Sequence, residues 1–150
     1  FTRNPRHGMS MLTLAKLVRM IGGDELHIGA IFGKMEGAKE EVKRIRKEIE
    51  NNRVIDEKAL KQKWYNQKPT FAVCSGGLHP GLLKKLIDVM GNDIICQAGG
   101  GVSAHPSGIE AGGKAMRQAI TGSLEGADLK EFAENHKELK EAIERWGYLE

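Results

Sequence analysis

Apolar residues recur at helical spacing from Ser10 to Ile21: Met11, Leu14, Val18 and Ile21 share one face, Ser10 stands as an N-cap and Gly22-Gly23 closes the turn. Glu25 to Phe32 is instead a short apolar run bounded by glycines, which predicts a buried strand. Its end meets Gly33-Lys34-Met35-Glu36-Gly37, a flexible loop at the point where a strand hands over to a helix. Helical spacing returns over Ala38 to Asn51, where Val42, Ile45 and Ile49 form a narrow apolar stripe on a helix dense in Lys and Glu. Glu40 lies four residues before Arg44, the offset for a side-chain pair on the helix surface. A less regular stretch containing Trp64 and Tyr65 follows.

The alternation then repeats twice. Thr70 to Cys74 is a strand ending in Ser75-Gly76-Gly77, and Pro80 opens a helix that turns Leu82, Leu83, Leu86, Ile87 and Met90 inward until Gly91 closes it. Asp93 to Gln97 is a third strand, followed at once by Gly99-Gly100-Gly101 and by a helix over Ser107 to Gly122 carrying Ile109, Ala115, Met116, Ala119 and Ile120. Two charged helices, Asp128 to Asn135 and Lys137 to Arg145, bury Leu129, Phe132, Leu139, Ile143 and Trp146. Strand-loop-helix units in series imply an α/β fold with parallel strands and helical crossovers. A doubly wound sheet and a (β/α)8 barrel both fit, and in both the ligand is met at the C-terminal ends of the strands, where Lys34, Ser75 and Gly99 fall. Three strands cannot close a barrel; on the barrel reading these are its last three units plus C-terminal helices, with an edge strand left for another segment to cover.

Composition narrows the function classes. A chain of 150 residues, 40% hydrophobic, buries one modest core, so positions 1–150 are expected to form one domain or one piece of a domain. The 23 basic and 20 acidic residues are interspersed, and aromatics make up 5% of the chain. That pattern predicts neither a nucleic-acid nor a membrane partner, because both need concentrated charge or apolar surface and single-strand binders need aromatic platforms. Cys74 and Cys96 each close an apolar run, as buried reduced thiols do, and no apolar run approaches the roughly 20 residues of a spanning helix. The expectation is a soluble, cytoplasmic chain. It opens Phe1-Thr2-Arg3-Asn4-Pro5 without an initiator Met, as expected of a chain that starts inside a larger domain.

The candidate chemistry sits in the loops. Glycines directly after a strand let backbone N–H groups approach and cradle an anion, and the helix that follows adds a favourable dipole. Ser75-Gly76-Gly77 and Gly99-Gly100-Gly101 therefore read as a phosphate site or, equally, as tight turns. Lys34 between two glycines is either a solvated loop lysine or a group that swings over a bound substrate to stabilise negative charge. His27, inside an apolar strand, is either a satisfied core histidine or a phosphate partner. His7, His79, His105 and His136 lie in separate segments with no metal-ligand spacing, and His79 and His105 each adjoin a glycine cluster and a proline. Nothing marks Ser75 as an activated nucleophile.

Together these motifs carry a resemblance. His7-Gly8-Met9-Ser10, Leu26-His27-Ile28-Gly29, the Gly33 to Gly37 loop, Ser75-Gly76-Gly77-Leu78-His79-Pro80 and Gln97-Ala98-Gly99-Gly100-Gly101, with His105-Pro106 after them, agree in identity, order and spacing over essentially the whole chain. They resemble the C-terminal part of the catalytic barrel of the ribulose-bisphosphate carboxylase (RuBisCO) large chain. Trp146-Gly147-Tyr148 is similar to the archaeal form III type, which the family links to ribulose bisphosphate made in AMP breakdown. The resemblance implies addition of CO2 or O2 to ribulose 1,5-bisphosphate to give 3-phosphoglycerate. It also implies homo-oligomers of at least two large chains and a Mg2+ cofactor whose ligands lie upstream, outside this chain.

By the same resemblance Lys34 matches the catalytic lysine of a mobile loop and Glu36 its partner. His27 and Ser75 match contacts near one substrate phosphate, and Gly77, Gly99 and Gly100 match backbone donors to the other, with Gly76 and Gln97 beside them. The segment Gly101-Val102-Ser103-Ala104-His105 departs from the family's usual Gly-Thr-Leu-Gly-His. Two other readings remain: a RuBisCO-like sugar-phosphate enolase or isomerase, against which the unbroken Gly33 to Gly37 loop argues, and a non-catalytic association module docking through a strand edge.

Overall fold

The computed structural model describes every residue except 1, 3, 5, 30, 33–36 and 150, and leaves the side chains of residues 37–38 undescribed. It divides into two compact units. One takes in the described residues up to Cys74 apart from Phe32; the other takes in Phe32 and those from Ser75 onward.

In the first unit helix α1 (Met11–Met20) begins where the sequence predicts: the Ser10 hydroxyl accepts a hydrogen bond from the Thr13 N–H, 3.1 Å. Its buried face differs from the predicted one. Ala15 and Arg19 are the residues enclosed, whereas Ile21 caps the helix 83% exposed. Arg19 is 1% exposed and spends its donors on four backbone carbonyls, those of Glu48, Asn51, Gln67 and Lys68, at 2.8–3.2 Å. Its guanidinium also lies 4.4 Å from the Trp64 ring. These carbonyls belong to the end of α2 (Gly37–Glu50) and to the loop just before Phe71, so one side chain ties three segments. Glu48 is wholly buried beside it, with Lys16 Nζ 3.2 Å from Oε1 as an ion pair.

Helix α2 buries Val42, Ile45 and Ile49 as expected. The expected pairing of Glu40 with Arg44 gives way to two others: Glu40 holds Lys43, and Arg44 reaches Asp56 beyond the helix, 3.0 Å. The irregular stretch contains a small antiparallel ribbon, β2 (Arg53–Val54) with β3 (Gln62–Lys63). Strand β1 (Glu25–Gly29) is shorter than predicted and pairs in parallel with β4 (Phe71–Ser75), His27 opposite Val73. The pairing shifts register between His27 and Gly29, and Gly29 takes a positive φ. Parallel strands joined through α2 are the βαβ crossover that the alternating pattern implies.

The second unit is mostly helical. A 3-10 turn (Pro80–Leu82) runs into α3 (Leu83–Met90), which Gly91 ends at φ 72°. Strand β5 (Ile95–Gln97) leads to a single turn, α4 (Gly100–Ser103), then α5 (Ile109–Leu124), α6 (Leu129–Ala133) and α7 (Lys137–Trp146). Leu83, Leu86, Ala115, Ala119, Leu129 and Leu139 form its core. Ile109, counted inward from the spacing, is exposed at the first turn of α5, and β5 exposes Ile95. Asp128 is the N-cap of α6, not its first residue, accepting from the Lys130 and Glu131 N–H groups. Cys74 is a buried thiol and Cys96 a half-buried one.

Candidate functional site

Gly76, Gly77, Gln97, Gly99 and Gly100, all singled out from the sequence, line one cavity of about 490 Å³ in the second unit. It lies between the loop after β4 and the turn after β5. The glycines that form it have different physical reasons to be glycine. Gly76 and Gly77 have φ of 100° and 72°, a region that side chains disfavour, so the turn alone requires them. A Cβ on Gly101 would come within 2.2 Å of the Leu78 carbonyl oxygen and 2.7 Å of the His79 Cα. Gly101 is therefore the point at which the two loops touch. Gly99, at φ −67°, and Gly100 meet neither condition: a Cβ on either would have nothing within 4 Å. Their bare backbone faces open space, so neither strain nor packing among the described residues explains the missing side chain.

His79 and Trp146 also line the cavity, and His105 packs against Trp146 without lining it. Trp146, read as a buried helix contact, reaches the cavity from the end of α7. It meets a histidine from each loop: the His79 ring stacks on it with centroids 5.9 Å apart, and the His105 ring meets it edge-on at 6.2 Å. His105 is buried with both nitrogens engaged, Nδ1 accepting from the Ser107 N–H at 3.1 Å and Nε2 against the Glu138 carbonyl at 2.9 Å. An acceptor Nδ1 fixes the proton on Nε2, and the ring locks its loop to α7. Burial holds the His79 imidazole below its ordinary pKa, so that ring is neutral near pH 7. The signal for both was visible in the chain, a His-Pro pair just after each glycine cluster.

The remaining candidates fall elsewhere. His27 is exposed on β1 of the first unit, so it is not the satisfied core histidine that was one of its two readings, and Ser75 closes β4 half-buried. Lys34 and its neighbour Glu36 lie outside the described residues. Among the described residues no group of three or more His, Cys, Asp or Glu side chains could hold a metal ion, so the donor set present does not fit one. Among the same residues no helix is long and apolar enough to cross a membrane.

The profile of the family described as ribulose bisphosphate carboxylase large chain, catalytic domain, matches residues 1–146. The chain belongs to the RuBisCO large-chain family. Ribulose bisphosphate carboxylase of Pyrococcus furiosus is 51% identical over 149 residues, covering 99% of this chain and 33% of its own length. That of Methanosarcina barkeri is 52% identical, covering 97% and 35%. The chain thus spans about a third of the length of these RuBisCO relatives. Among solved structures, the dimeric archaeal Rubisco from Hyperthermus butylicus superposes with a TM-score of 0.88 at 45% identity, over 99% of this chain and 35% of that one. The octameric enzyme from Pyrococcus horikoshii gives 0.83 at 49%, over 98% and 33%. The mixed α/β architecture and the archaeal resemblance expected from the motifs are those of this RuBisCO family.

Proposed function

We propose that this chain supplies the phosphate-holding loops and the loop lysine of a RuBisCO active site, as the C-terminal portion of its catalytic barrel. The whole enzyme would add CO2 or O2 to ribulose 1,5-bisphosphate, carboxylation giving 3-phosphoglycerate. The observation that carries this reading is the glycine at positions 99 and 100, open on a cavity and unexplained by any neighbour among the described residues. Backbone N–H groups of Gly99, Gly100 and Gly77 donate to the oxygens of one phosphate, with Gly76 shaping the turn and the Gln97 amide alongside. Bare backbone lets the anion approach to hydrogen-bond distance, where a side chain would hold it off. His27 and Ser75 serve the opposite end of the substrate. The Lys34 ammonium stabilises negative charge developing on the added carboxylate, with Glu36 fixing its place in the loop.

The rest of the large chain is the first partner on this reading, and a second copy of it the next. Relatives described as dimeric and octameric support homo-oligomers. Magnesium has no donor set among the described residues, so its ligands would come from the remainder of the large chain.

The test is a graft. Residues 1–150 replace the matching third of the Pyrococcus furiosus relative, and incorporation of labelled CO2 into acid-stable 3-phosphoglycerate is measured. An active graft is expected. Its Lys34→Ala variant should lose on the order of 100-fold or more in carboxylation while still binding a bisphosphate ligand. Equal loss of rate and binding would remove the lysine from the chemistry, and isomerised sugar phosphate in place of 3-phosphoglycerate would move the chain to the RuBisCO-like class.

A further inference from the structure

The two histidines that flank Trp146 are built differently. His105 has a partner for each nitrogen. His79, among the described residues, makes no hydrogen bond: its Nδ1 is buried without a partner, and its one ring interaction is the stack on Trp146. A phenylalanine would stack on the indole as well and would bury no unpaired nitrogen, so packing alone does not account for an imidazole here. His79 lines the cavity, and with Nδ1 enclosed an incoming group can meet only Nε2 of its ring. An enclosed nitrogen with no acceptor is best left as a lone pair, which puts the proton on Nε2 and makes that edge a donor.

We propose that His79 is an additional anion-binding residue of this cavity, donating Nε2–H as a neutral imidazole to a phosphate oxygen, with Trp146 as the positioning residue that holds its ring plane. The inference rests on the phosphate reading of the cavity and extends it to a side chain that the glycine motifs do not include. The backbone donors of Gly99 and Gly100 and the His79 edge line one cavity, so a single tetrahedral oxyanion can be held by main chain and imidazole together. A neutral donor suits this role, because an uncharged ring leaves the phosphate dianion undisturbed and easier to release than a salt bridge would.

The experiment uses the full chain labelled with 15N throughout and titrated with inorganic phosphate. The His79 ring signals are assigned by their loss in His79→Gln, and the Gly99 and Gly100 amides are followed in the same samples. The expected result is that the His79 Nε2 resonance and both glycine amides shift with one dissociation constant, which weakens roughly tenfold in His79→Phe. Trp146→Phe, which keeps an aromatic face, should restore most of the affinity that Trp146→Ala loses. Glycine amides that shift while His79 Nε2 does not would overturn the role of His79 and leave the phosphate reading standing. An absence of shift at all three would overturn both. The wild-type titration decides between these outcomes even where a substituted chain fails to fold.

Discussion

At Gly100 and Gly101, adjacent residues of one type, a single added methyl group should have opposite consequences. Gly101→Ala drives a Cβ against the Leu78 carbonyl and the His79 backbone, neither of which is a flexible side-chain end. Overpacking of this kind costs about 1–3 kcal/mol, read as a lower urea midpoint. Gly100→Ala meets open space at a helical position that favours alanine, so stability should stay within about 1 kcal/mol of wild type while phosphate affinity falls. Loss of stability in both variants, with no selective loss of binding at position 100, would make the cluster a turn and nothing more. The glycines themselves were legible in the sequence. Their division into lock and cradle was not, because it depends on what lies across the loop.

Among the elements, α2 and α3 follow the apolar spacing closely because each has a continuous face to bury, whereas α1 and the first turn of α5 do not. The β2–β3 ribbon escaped because two residues per strand leave no periodicity to read. Arg19 escaped for a related reason: an arginine on an apolar stripe looks like a solvated edge until the carbonyls that surround it are known. Its four acceptors come from the end of α2 and the approach to β4, so α1 is fastened to its unit through one side chain. Arg19→Met should therefore cost about 3–5 kcal/mol, since it strands buried carbonyls and leaves Glu48 facing only Lys16. Arg19→Lys should recover little, because a single ammonium cannot reproduce the planar fork. Chemical denaturation of both variants checks this; near-wild-type stability of the lysine variant would show that charge matters there and geometry does not.

Over the whole molecule the shifted groups define a pH window. His79 is held below its ordinary value by burial, so as pH falls through about 6.5 the unfolded chain takes up a proton that the folded chain resists, and stability declines. Asp24 is lowered chiefly by its hydrogen bond with Lys68, Asp56 and Asp128 by backbone N–H groups, and Glu138 by Gln118. What those carboxylates contribute is present above about pH 4 and lost below it. On the alkaline side burial raises the Cys96 thiol, so stability declines once the unfolded thiol ionises, near pH 9. The urea midpoint should be flat between about pH 7 and 9, with an acid limb in two stages. His79→Phe should erase the first stage and keep the second. A midpoint unchanged from pH 7.5 to 5 in the wild type would contradict the burial seen at His79.

The close approach at Gly101 also constrains how such a site is transplanted. The main chain of one loop is the floor on which the other is laid, with the Leu78 and His79 backbone filling the space that any other residue at 101 would occupy. Anyone moving this binding patch into a designed scaffold would have to carry both segments as one cassette, together with the helix end that brings Trp146. Swapping either loop alone would deliver the right letters in the wrong shape.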